Sequence, residues 1–303
     1  MLDFLKIDPV AFTIPVGDGF AIYWYGIIVT VGIALGAWWA GREIERRGQS
    51  ADEFYNGLLI VVITGFIFAR LWYVAQDCFA GQCAQYQTLR DIVNIRGGGA
   101  NILGGFVGAA LVAVAYLRWR KLRFWHYADV AGPALLVAQG IGRWGNFINQ
   151  ELYGPPTSLP WGILIEFPFR IFPYNDLVTY PAETRFHPTF LYESLWLLVG
   201  FVGLLYLNNR FRDSWRPGTI FGAFLIWWGG GRAWIELFRP DQPVIGSSPI
   251  TYSMLLAIGL ALAGVMVLLY LYGKLPESGR TRRRRRRAVK PKPRRASEEK
   301  NGE

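Results

Sequence analysis

Apolar stretches of about 20 residues recur along the whole chain, and no other feature constrains the fold as much. A helix needs ~20 predominantly apolar residues to cross a hydrocarbon core ~30 Å thick. With 52% of its 303 residues hydrophobic and 13 of them tryptophan, the sequence reads as an all-α polytopic membrane protein. Seven transmembrane helices are predicted, at roughly 21–40, 56–76, 100–117, 128–149, 189–207, 219–238 and 251–273. No basic region followed by a short apolar run and a small-residue cleavage site opens the chain, so no cleaved signal peptide is expected.

Arginine and lysine then orient the spans. Arg42, Arg46 and Arg47 follow the first; Arg118, Arg120, Lys121 and Arg123 the third; Arg210, Arg212 and Arg216 the fifth; a polybasic tail the seventh. The alternate connections are sparser, with Arg90 and Arg96 after the second and Arg170 and Arg185 after the fourth. The positive-inside rule places the N-terminus outside and the C-terminus in the cytoplasm. Of the formal charge of +10, the tail from 274 onward supplies +9, from 13 Lys/Arg against 4 Asp/Glu. Without apolar periodicity, it reads as a disordered anchor for anionic lipid rather than a nucleic-acid surface. Residues 1–273 form the membrane domain and 274–303 the tail. Within the former, 150–188 is too aromatic for disorder and reads as a small extracytoplasmic head. Cys78 and Cys83, the only cysteines, fall outside, which suits a disulfide.

With the topology assigned, costly polar groups gather in one leaflet. Tyr25 opens the first span, and Asn101, Gly104 and Gly105 the third. Arg143, Asn146, Asn149 and Glu151 end the fourth; His187, Tyr192 and Glu193 open the fifth; Glu236 and Arg239 close the sixth. A charged residue within a span costs ~2.5–3.5 kcal/mol on insertion scales and normally faces a bundle interior or a wet cavity. Glu193 and Glu236 read as buried pairing partners; the glycines suit close packing, and Gly104 and Gly105, with His187, are also candidate substrate-binding positions. Arg143 and Arg239 together make a two-pronged anion receptor, because guanidinium forks match phosphate oxygens. A lipid phosphate is the expected ligand. No His/Cys/Asp cluster has metal-ligand spacing, so neither metal nor organic cofactor is implied.

GRWGNFINQELYG, residues 142–154, resembles the signature of the prolipoprotein diacylglyceryl transferases, Gly-Arg-x-Gly-Asn-Phe-x-Asn-x-Glu-x-x-Gly. Similar support comes from Tyr23-Trp24-Tyr25-Gly26, Ala69-Arg70-Leu71 with Tyr73, and Ala128-Asp129 with Pro133. His187-Pro188-Thr189-Phe190-Leu191-Tyr192-Glu193 and Gly231-Arg232 through Arg239 extend it, so only the tail lies outside the resemblance. It implies a multi-pass enzyme of the bacterial cytoplasmic membrane. Such an enzyme moves the diacylglyceryl group of phosphatidylglycerol onto the lipobox cysteine of a prolipoprotein signal peptide, leaving a thioether and glycerol 1-phosphate.

That reaction is a substitution at an sp³ carbon, and it sets the expected roles. Arg143 and Arg239 stabilise the departing phosphate, and Asn146 donates to headgroup oxygens. Tyr25, Asn149 and Glu151 position the sulfur, and Gly154 lets the chain turn away. The thiol must also lose its proton, for which His187, Glu151 and Tyr25 are candidates; a thiol acidified by the arginines would need none. The family commonly carries a histidine before the Gly104-Gly105 pair, where this chain has Leu103. A degenerate homologue without catalysis is therefore one alternative. A phospholipid transporter is the other, although it would want polar groups along a whole transbilayer path.

Overall fold

The computed structural model describes residues 7–15, 20–94, 99–239, 245, 248 and 250–273. Arg96, Gly97, Gly98, Asp241 and the basic tail lie outside the described residues. A hairpin of β1 (Val10–Ile14) and β2 (Phe20–Tyr23) comes first, an addition to the all-helical expectation. It exposes Phe12, Ile14, Phe20 and Tyr23 and leads straight into α1 (Trp24–Arg46), whose Trp24 N–H donates to Pro9 O at 3.0 Å. α2 (Ala51–Phe79) is capped by the Ser50 hydroxyl, which accepts from Glu53 N–H at 3.2 Å. Just past its end Cys83 is joined to Cys78. The short α3 (Leu89–Val93) and α4 (Ile102–Trp119) follow, then α5 (Phe124–Ile148).

Residues 150–188 form a compact cap on the ends of the bundle. β3 (Ile163–Leu164) pairs antiparallel with β4 (Arg185–Phe186). Tyr153, Ile163, Ile165, Tyr174 and Phe186 make its core, which continues into the bundle through Phe190. Arg170 is buried there and donates to four carbonyls, those of Ile165, Tyr180, Pro181 and Ala182, at 2.8–3.0 Å. The aromatic residues that argued against disorder are thus the cap's packing. α6 (Thr189–Phe211), α7 (Thr219–Ile235), a 3₁₀ turn at Glu236–Phe238 and α8 (Tyr252–Gly273) complete the chain.

Among the described residues five helices, α1, α2, α4, α6 and α8, are long and apolar enough to cross a membrane. The other two segments predicted to span became α5 and α7. α5 has the length but carries His126, Asp129 and Arg143, and α7 is 17 residues long. α5 is the axis: α1, α6 and α7 pack on it, α8 packs on α7, and α4 packs on α2. Small residues allow this closeness. A Cβ added at Gly36 of α1 would lie 2.8 Å from Ala134 O, and one at Gly32 would lie 2.7 Å from Ala138 O.

A polar clamp ties four helices together where α5 begins. Arg47, just past α1, donates to Glu43 Oε1 and Asp129 Oδ2 at 3.1 Å each and to Asn208 Oδ1 at 2.5 Å. Asn208 returns a bond to Glu43 Oε1 at 2.8 Å, and Asp129 accepts from Gly218 N–H and Phe221 N–H at 2.8 Å. Glu43 and Asp129 are 1% and 3% exposed, so removing their cation leaves two buried carboxylates short of a partner. Arg47→Met should therefore destabilise the fold by about 3–5 kcal/mol, read as a lowered thermal midpoint of the purified protein.

Candidate active site

At the other end of α5 the signature motif turns off the helix through two strained residues. Gln150 and Leu152 adopt positive φ of 52° and 58°, a region that non-glycine side chains seldom occupy and that clusters at functional sites. Between them Glu151 is folded back, its N–H donating to Asn146 O at 3.0 Å. Its carboxylate accepts from Asn146 Nδ2 at 2.8 Å and Asn149 Nδ2 at 3.3 Å. Asn146 is buried, and its Oδ1 faces Arg143 Nη1 at 3.4 Å. Arg143 is held in turn by α6, with its Nη2 at 2.5 Å from Glu193 Oε1.

Glu193 also faces a second arginine, Arg232 of α7, at 3.8 Å. Arg232 pairs with Glu236 one turn on at 3.0 Å and donates to Ser253 Oγ of α8 at 3.2–3.3 Å. Glu236, fully buried, accepts from Thr251 Oγ1 at 3.0 Å. Arg239 directly follows the 3₁₀ turn, its N–H bonded to Glu236 O at 3.1 Å. Arg143 and Arg239 both lie within electrostatic range of Arg232. Three arginines from α5, α7 and the turn beyond it thus share one neighbourhood with two glutamates.

Most of the residues singled out in the sequence border this cluster. Tyr25 packs closely on α5, where a Cβ at Gly145 would meet its ring at 2.7 Å. Gly154 N–H donates to His187 O at 2.9 Å, and a Cβ there would meet His187 Cβ at 2.8 Å and Phe238 O at 3.0 Å. The His187 ring contacts Phe238, and its Nδ1 bonds Tyr192 Oη at 3.0 Å. Tyr192 Oη also accepts from Trp161 Nε1 of the cap at 2.9 Å. Gly104 and Gly105 instead face α2, against Trp72 and Ala69, which is the close-packing role. Leu103 is half-exposed in the first turn of α4. Arg232 stood in the sequence only within a matching segment, yet its i,i+4 spacing to Glu236 on an apolar helix was a signal of pairing.

Near the same end of α5, Ile141, Trp144, Phe147 and Ile148, with Ile28 and Ile7, line an apolar cavity of about 410 Å³. The final turns of α5 thus carry Arg143 and Asn146 on one side and border a hydrocarbon-like space on another. Such a pairing suits an amphipathic molecule with an anionic head.

Fold and site together define a polytopic membrane protein with an arginine–carboxylate centre at one end of its bundle. Residues 9–270 match the family described as "Prolipoprotein diacylglyceryl transferase". The "Phosphatidylglycerol--prolipoprotein diacylglyceryl transferase" of Chloroflexus aggregans is 41% identical over 244 residues, covering 78% of each chain. Proteins of the same description from Bacillus cereus and Bacillus mycoides are 38% and 37% identical over 252 residues, covering 82% of this chain and 88% of theirs. The chain belongs to the prolipoprotein diacylglyceryl transferase family.

Two outcomes test the geometry itself. Glu193→Leu removes the carboxylate shared by Arg143 and Arg232 and should cost about 1–3 kcal/mol, with Glu193→Gln losing less; chemical or thermal denaturation reads both. Burial holds the His187 imidazole below its ordinary value of 6.5. Folding thus favours the neutral ring, and the unfolded chain binds more protons below that value. Stability should fall as pH drops below 6.5, and His187→Gln should flatten that dependence of the thermal midpoint.

Proposed function

We infer that the chain transfers the diacylglyceryl group of phosphatidylglycerol to the lipobox cysteine thiol of a prolipoprotein signal peptide. The thiolate sulfur attacks the glycerol carbon, the carbon–oxygen bond to phosphate breaks, and glycerol 1-phosphate leaves with the electron pair. The observation that carries this reading is the arginine centre of the family motif, with Arg143 anchored by Glu193 beside Arg232 and Arg239. Cations already oriented by their carboxylates stabilise charge that grows on a leaving phosphate without reorganising.

In this reading each residue has a role that the geometry supports. Arg143, Arg232 and Arg239 face the phosphate, and Asn146 orders Arg143 and the headgroup. Tyr25, Asn149 and Glu151 border the reacting carbon. Gly154 lets His187 and the cap close over the site, and the apolar cavity receives acyl chain. The thiol proton goes to water or to His187, which burial keeps in the neutral, proton-accepting form. Gly104 and Gly105 serve this site by holding α4 against α2.

Seven spans suit this chemistry, with α5 and α7 crossing among the five apolar helices, the N-terminus and cap outside, and the basic ends in the cytoplasm. α5 is ~37 Å long at 1.5 Å per residue, enough to cross. The setting is the bacterial cytoplasmic membrane, with 1–273 as the transferase domain and 274–303 as an anchoring tail.

The test is transfer of labelled diacylglyceryl from phosphatidylglycerol to a lipobox peptide by the purified protein. Activity should be present in the parent and fall by about 100-fold or more in each of Arg143→Ala, Arg232→Ala and Arg239→Ala. Leu103→His should stay within a few-fold of the parent. A folded parent that binds lipid yet never labels the peptide would favour the degenerate homologue that Leu103 hints at.

A further inference from the structure

The end of the bundle opposite the arginine–carboxylate centre holds a polar cavity that the transfer reaction does not use. It has a volume of about 260 Å³ and lies over the polar clamp. Arg46 and Arg47 from α1, Arg212 past α6, and Arg216 from the loop before α7 line it, with His126 and Asp213. Four arginines drawn to one cavity differ from basic residues merely spread along a membrane face.

These cations stand in different states of commitment. Arg47 is saturated by Glu43, Asp129 and Asn208. Arg216 is fixed by Leu271 O and by the Tyr272 ring, 5.6 Å from its guanidinium carbon. Arg46 has only a long contact to Glu43, 3.9 Å, and Arg212 has no partner among the described residues. In the wall, His126 Nδ1 is buried without a hydrogen-bond partner, a position that costs free energy unless a ligand or water satisfies it. Asp129 spends its oxygens on Arg47, Gly218 and Phe221. Among the described residues, Glu43, Asp129 and Asp213 set against the four arginines leave one positive charge in excess.

We propose that this cavity is a binding site for a phosphate-class anion, held by Arg46 and Arg212 with Arg216 and His126 behind. Guanidinium groups converging from separate elements match the several oxygens of a phosphate better than a lone carboxylate. The phosphate can belong to an anionic phospholipid of the leaflet at that end, or it can be a soluble ion. Occupancy would join α1, α5, α6 and the start of α7 more firmly, over the clamp that already unites them.

The experiment uses the full chain in phosphatidylcholine nanodiscs, as parent, R46Q/R212Q and R46K/R212K. Neither residue touches the active site, so transfer activity serves as the check that each variant is folded. Native mass spectrometry with added phosphatidic acid should show the R46Q/R212Q protein binding about tenfold more weakly than the parent, with the lysine variant recovering most of the difference. If inorganic phosphate raises the thermal midpoint of the parent but not of R46Q/R212Q, while phosphatidic acid binds both alike, the site takes a soluble anion. Equal phosphatidic acid binding by all three proteins, with no differential response to phosphate, would overturn the proposal.

Discussion

Burying a guanidinium among apolar helices is tolerable only when carboxylates and amides from neighbouring helices complete its hydrogen bonds, and the bundle is organised around that requirement. Arg143 on α5 is completed by Glu193 on α6, Arg232 on α7 by Glu193 and Glu236, and Arg47 after α1 by Glu43, Asp129 and Asn208. Each pairing except those within a helix ties two elements together. α5 contributes to both ends, with Asp129 at its start and Arg143 and Asn146 near its finish. Its glycines and alanines let α1 approach closely enough for the contacts to form.

The same requirement explains the character of the proposed active centre. Arginines committed to carboxylates keep fixed directions, so their positive charge stands ready where a phosphate would develop negative charge. The turn at Gln150 and Leu152 holds backbone strain, and that strain places Glu151 back over Asn146 rather than out along the chain. The cap closes the arrangement from above. Trp161 reaches Tyr192, Tyr192 reaches His187, and His187 rests against Gly154. Its own core of tyrosines and phenylalanines, stapled by Arg170, keeps it a rigid roof rather than a loose loop.

Much of this was legible along the chain, for identifiable reasons. Hydrocarbon burial demands long apolar runs, so α1, α2, α4, α6 and α8 could be located from sequence to within several residues. Charged residues inside such runs mark sites because of their cost, which brought Arg143, Glu151, Glu193 and Glu236 into view, and Glu193 and Glu236 are indeed pairing partners. Less legible was the partner of each charge. Arg143 might have paired with Glu151, its near neighbour in sequence, yet it pairs with Glu193 fifty positions away while Glu151 turns to Asn146 and Asn149. The β1–β2 hairpin escaped notice because its short alternating strands border an apolar helix and merge with its hydrophobic pattern.

By itself the sequence determined that the chain is a helical membrane protein, which segments are helical, and that GRWGNFINQELYG is the place where polarity is concentrated. These properties depend on local composition, since a bilayer selects for apolar length whatever the partners are. Only the tertiary structure decided that Arg232 is the hub of the arginine centre, that Gly104 and Gly105 serve helix packing, and that four arginines converge around a cavity at the opposite end. Each of these depends on which helix faces which, and that is decided by side chains meeting across elements far apart in the chain.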